Sequence, residues 1–219
     1  MFMQPGSEDK KRIELPSSEV RKIFSKTAES IGYRPEIAEV LGVGVWNLTN
    51  RGIDGVSYAW VYLSAVKKLS SEAIEPKTGT DGSLHCLCPI LASCQIIDRV
   101  LAAGEPAPGT KYVLKGVGAP LMMLPLLSVC LKSLNYDRRA TRIQFLDQDV
   151  IYDDNALTID SRSLTGVYMV FAPEGIDVAV SFEESAANST FGMTFPRQNF
   201  ESLWIPQNRL RGDGLMDLG

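Results

Sequence analysis

The residues best suited to chemistry crowd into ten positions: His85, Cys86, Cys88 and Cys94. They are metal-ligand and nucleophile types. A structural zinc site, however, usually pairs two C-x₂₋₄-C knuckles separated by a dozen or more residues. Only one Cys-x-Cys is present, and Cys130 stands alone in an apolar stretch. No metal and no cofactor are therefore expected, and core packing accounts for most of the cluster, because cysteine is among the most buried residue types. His85 is the only histidine. Any imidazole base would have to be that residue, and no G-x-S-x-G elbow accompanies it.

Three further groups invite a chemical reading. Gly116-Val117-Gly118 sits where a strand should hand over to a helix, the place of a dinucleotide fingerprint, but Leu121 occupies the position of the third glycine. Close packing is the expected use of these small residues, with an anion at the helix start as the other reading of Gly118. Asp147, Asp149, Asp153 and Asp154 suggest a divalent cation. A strand between Asp149 and Asp153 would hold them roughly 13 Å apart at about 3.3 Å per residue. Ligands must lie within about 2.6 Å of a shared ion, so turn chemistry is the better explanation. Near the end, Arg209 and Asp217 alternate with Leu210, Leu215, Met216 and Leu218. That segment is too apolar for an idle tail, and it is expected to fold back over the body or reach a neighbouring subunit, with Trp204 and Pro206 as the anchor.

The whole-chain balance narrows the partners. Twenty-six acidic residues against 22 basic ones give a net charge of −4, without the basic excess of a nucleic-acid binder. The longest apolar run, Val117 to Leu131, is interrupted by Gly118, Pro120 and Pro125 and falls short of the roughly 20 residues of a membrane span. The first 15 residues contain no apolar signal core, so a cytoplasmic location with reduced thiols is expected.

The elements that must position these groups change along the chain. Residues 1–12 read as a mobile tail. Ser17 or Ser18 can cap a helix carrying Val20, Ile23, Phe24, Ala28 and Ile31, with Gly32 as its stop. Pro35 opens a second helix with Ile37, Val40, Leu41, Val45 and Trp46. Asp54 caps a third, with Val56, Trp60, Leu63, Val66 and Leu69 on its buried side. Residues 75–83 read as a linker. A helix over Ile90–Ala103 stops at Gly104. A strand over Lys111–Val117 then leads to a helix over Leu121–Leu134, whose first turn Pro125 separates or kinks. Thr141–Phe145, Val150–Tyr152, Ala156–Ile159, Gly166–Ala172 and Ile176–Phe182 read as strands. This order predicts one α+β domain over 13–219, helical over about 17–103 and sheet-containing over about 111–204.

Two resemblances follow from particular residues. The helix-Gly-helix run of Glu19–Leu69, with Arg51-Gly52-x-Asp54, is similar to the N-terminal helices of the malate/L-lactate dehydrogenase family that lacks a Rossmann fold. That family continues with Ser-His-Gly, whereas Gly55 and Val56 follow here, so the likeness concerns scaffold and not chemistry. Leu87-Cys88-Pro89-Ile90, Val117-Gly118-Ala119-Pro120-Leu121, Trp204-Ile205-Pro206, Asn208-Arg209 and Gly212-x-Gly214-Leu215-x-Asp217 resemble the bacterial family called domain of unknown function 3726. That resemblance implies a bacterial cytosolic protein with no catalytic residues to carry over. The expected function is non-catalytic: a small-molecule-binding or accessory protein, with His85, Cys88, Gly118, Arg209 and Asp217 as candidate ligand contacts. The alternative is an enzyme acting on a small polar metabolite, with Cys88 or the Arg209–Asp217 segment supplying polar groups. The two readings separate on whether His85 or Cys88 meets Arg209 or Asp217 in one concave pocket.

Overall fold

The computed structural model describes residues 12–51, 53–69, 71–80, 83–107, 109–134, 139–146, 148–152, 156–161, 175–184, 193–196 and 202–206. Helix α1 (Ser17–Ser30) buries Val20, Phe24, Thr27 and Ala28 along one stripe. It ends at Gly32, whose φ of +101° allows the N–H of Tyr33 to return to the Ala28 carbonyl at 3.1 Å. Neither serine caps it. The chain enters through Pro16, held extended as the last residue of strand β1 (Arg12–Pro16), so Ser17 and Ser18 are already helical.

Helix α2 (Pro35–Thr49) starts on its proline and packs tightly on α1. A Cβ at Gly42 would lie 2.5 Å from the Arg21 carbonyl oxygen. Helix α3 (Gly55–Val66) is capped by Asp54, whose carboxylate accepts from the Ser57 N–H at 2.9 Å. Val56, Leu63 and Val66 are buried as expected, but the stripe differs at other positions. Tyr58 and Tyr62 are sealed, Trp60 is half-buried, and Leu69 lies beyond the helix and is 40% exposed. Tyr58 reaches the Leu121 N–H and Tyr62 meets the Tyr33 hydroxyl, so the tyrosine face is packed inward as well.

The expected linker holds structure. A four-residue helix α4 (Ser71–Ile74) precedes strand β2 (Lys77–Thr78), which pairs antiparallel with β3 (Leu84–His85). Helix α5 (Pro89–Ala103) then crosses to β4 (Lys111–Val117), which runs parallel to β3. A single 3₁₀ turn over Pro120–Met122 precedes α6 (Met123–Ser133), the separation that Pro125 requires.

Strands β5 (Arg139–Phe145), β6 (Gln148–Tyr152), β7 (Ala156–Ser161), β8 (Ile176–Glu184) and β9 (Met193–Pro196) complete a sheet of order β2-β3-β4-β8-β5-β6-β7-β9, antiparallel except at β3/β4. The strand expected over Gly166–Ala172 lies outside the described residues. Alternation sorts the two faces. Leu114, Val178, Val180, Ile143, Phe145 and Val150 are buried in the common core, whereas Val113 on the other face is 54% exposed. Strand β10 (Ser202–Pro206) pairs antiparallel with β1, placing Glu14 opposite Trp204. Trp204 and Pro206, the expected anchor, therefore belong to a strand, and Arg12, read as the end of a mobile tail, begins one. The protein is an α+β fold.

Candidate functional site

The segment from β3 into α5 carries the reactive types, and it alternates between solvent and core. Leu84 is buried, His85 exposed, Cys86 2% exposed and Cys88 0% exposed. Cys88 caps α5, its sulfur accepting from the Leu91 N–H at 3.5 Å, while the Cys86 thiol donates to the Cys88 carbonyl at 3.3 Å. The Cys88 sulfur also contacts the phenols of Tyr33 and Tyr62, whose oxygens are 2.5 Å apart. Burial pushes the Cys86 thiol up to about 12, with the neighbouring Cys88 adding to it. Burial likewise raises Cys88, against the opposing pull of the Leu91 N–H. The thiolate is the nucleophile and metal ligand, so both sulfurs are held in their inert form at neutral pH.

Gly118 serves packing. Its N–H donates to the Leu87 carbonyl at 2.8 Å, and a Cβ there would lie 3.0 Å from that oxygen and 3.1 Å from the Tyr62 ring. The Leu121 N–H is taken by the Tyr58 hydroxyl at 3.2 Å and the Met122 N–H by the Ala119 carbonyl at 3.0 Å. Pro120 has no N–H to give. The backbone donors on either side of Pro120 are thus engaged within the fold, and Gly118 sits in close contact with Leu87 and Tyr62.

His85 stands apart from the thiols, on the solvent face, with Nε2 3.0 Å from the Ser83 hydroxyl. The structure thus divides the candidates: Cys88 and Gly118 meet around Tyr62, and His85 does not join them. Arg209 and Asp217 lie outside the described residues. Asp149 is an ion-pair partner, with Oδ1 3.4 Å from Arg142 Nε and Oδ2 accepting from Gln144 at 3.3 Å. Arg142 Nη1 also meets Glu183 Oε1 at 3.1 Å, so its positive charge is neutralised across the strands. Among the described residues, no three His, Cys, Asp or Glu side chains come together as a metal site, and no helix is long and apolar enough to cross a membrane.

Two features escaped the sequence reading. One is the tyrosine set, for which the four-residue spacing of Tyr58 and Tyr62 was the available signal. The other is Arg51, 5% exposed, with its guanidinium 4.7 Å from the centre of the Tyr152 ring. A surface groove of about 430 Å³ is also lined by Arg21, Lys22, Lys26 and Glu29 of α1 and by Glu36 and Glu39 of α2. It contains none of the expected residues.

No protein-family model matches the chain, and neither does any curated protein. Among solved structures it shows distant similarity to the malate dehydrogenase of Entamoeba histolytica. There the TM-score is 0.42 and the identity 12%, over 86% of this chain and 50% of that one. The malate dehydrogenase of Pyrococcus horikoshii OT3 aligns with a TM-score of 0.39 and 11% identity, over 75% of this chain and 51% of that one. The chain spans about half the length of either structure.

Proposed function

We propose that this is a non-catalytic protein of the bacterial cytosol that binds a small molecule or serves as an accessory subunit. Its kinship with the family called domain of unknown function 3726 is part of the same proposal. The observation that supports it is the separation of Cys88 from His85. The thiol is sealed at 0% exposure beneath two phenols, while the only imidazole lies outside on the sheet. A reaction centre built on these groups would need them to converge on one substrate. A thermal-shift screen against small metabolites tests the binding role. A ligand at about 100 times its dissociation constant stabilises the fold by about 2.7 kcal/mol. A protein that responds to no ligand in such a screen and co-purifies with no partner is neither a binder nor an accessory subunit.

The enzymatic alternative has one observation of its own: the Ser83 hydroxyl lies 3.0 Å from His85 Nε2, within nucleophile-to-base reach. Hydrolysis of an activated ester by the protein, abolished by both Ser83→Ala and His85→Ala, is the result that would favour an enzyme.

A further inference from the structure

The sheet register lines up three basic side chains beside one another on the solvent face. Lys77 on β2 is the antiparallel partner of His85, and Lys115 on β4 is its parallel partner. Paired residues share a face, and neighbouring strands lie about 4.8 Å apart, so the three side chains span roughly 10 Å at their bases. Leu84, the next residue of β3, is 4% exposed, which fixes the opposite face as the outer one. Lys77 and His85 are exposed and Lys115 is half-buried. The Ser83 hydroxyl, on His85 Nε2 at 3.0 Å, adds a fourth polar group. Asp177, on the adjoining strand β8, has its Oδ1 accepting from the Gly116 N–H at 3.3 Å.

We propose that Lys77, His85 and Lys115, with the Ser83 hydroxyl, form a binding site for the phosphoryl group of a small anionic ligand. The inference rests on the small-molecule reading above and gives it a place and a ligand class. Lysines act on phosphate as point charges, whereas planar carboxylates are best matched by the fork of an arginine, which this row does not contain. A tetrahedral dianion can offer separate oxygens to two ammonium groups and to the donor that the Ser83–His85 hydrogen bond leaves over, the hydroxyl or an imidazole N–H. The site is open to water, so its affinity is modest and falls with salt, because exposed charges are screened within about 8 Å at physiological ionic strength.

His85 is the only histidine in the chain, so its Hε1 proton gives one assignable NMR signal for the site. Inorganic phosphate, titrated at low and constant ionic strength, is expected to move that signal saturably in the millimolar range. Acetate at the same ionic strength should move it little. The double variant Lys77→Ala/Lys115→Ala should bind phosphate at least tenfold more weakly, and the charge-removing pair Lys77→Gln/Lys115→Gln should do the same while keeping most of each side-chain stem. A linear response, an equal response to acetate, or undiminished binding by both variants overturns the site. A metabolite that stabilises the double variant as well as the native protein leaves small-molecule binding standing and removes this location for it. A phosphate response lost in both variants, with no metabolite found, supports the site and counts against the wider function.

Discussion

The hydroxyl oxygens of Tyr33 and Tyr62 lie 2.5 Å apart across 29 residues of sequence. Tyr33 sits in the turn between α1 and α2, and Tyr62 sits on α3, so the contact ties three helices together beneath Cys88. Leaving a buried hydroxyl without its partner costs about 1–3 kcal/mol, whereas removing both partners can be nearly neutral. Tyr33→Phe and Tyr62→Phe should therefore each lower the urea midpoint, and the double variant should lose clearly less than the sum. Strict additivity of the two losses would show that the hydroxyls are not coupled.

Alkaline stability should follow from the same burial. Cys86 is pushed from an ordinary 9.0 up to about 12, and Cys88, Tyr33 and Tyr62 are also raised. Above about pH 9 the unfolded chain releases thiol protons that the folded one keeps, so folding stability falls as pH rises, by up to about 1.4 kcal/mol per unit for each such group. Below the ordinary value this contribution is fully present. Thermal unfolding under reducing conditions should show a declining limb above pH 9, and Cys86 and Cys88 should resist iodoacetamide at pH 8 until the protein is unfolded. A flat limb, or rapid labelling of the folded protein, contradicts the sealed environment.

Local signals were legible wherever one residue type decides the backbone. Gly32 and Gly104 stop helices with φ of +101° and +82°, Pro35 opens one and Asp54 caps one. Pairings between distant segments were not. Strand β3 has two residues, too few to show a period, and it exists because β4 lies beside it. Strands β1 and β10 come from opposite ends of the described chain and define each other only through pairing. Residue identity also misled at the candidate site. His85 and Cys88 are three positions apart, yet the strand-to-helix turn leaves one in water and seals the other. The tyrosines were overlooked because a phenol is neither plainly apolar nor plainly reactive, and Arg51 entered only through the Arg51-Gly52-x-Asp54 run, which carries no sign of its burial against Tyr152.

Leu127 tests whether α6 belongs to the centre of the fold. Its side chain is 1% exposed and lies in the common core. Leu127→Ala should cost roughly 2–5 kcal/mol, the range for core leucines whose cavities relax only partly. A loss below about 1 kcal/mol in denaturant unfolding would place the helix at the periphery instead.

The C-terminal segment is the remaining test of the functional reading. Strand β10 is held by β1 up to Pro206, so removing residues 208–219 leaves that pairing intact and isolates the part that carries Arg209 and Asp217. The segment mixes those charges with Leu210, Leu215, Met216 and Leu218, a composition that favours contact over solvation. Deletion is expected to change stability, oligomeric mass or ligand response, and the pattern assigns the role. A drop in unfolding temperature with unchanged mass means the segment packs on its own body. A smaller particle by light scattering means it clasps a second copy. A stable protein of unchanged mass that no longer responds to a ligand means the segment completes the binding site. If all three measurements match those of the full chain, Arg209 and Asp217 have no part in binding.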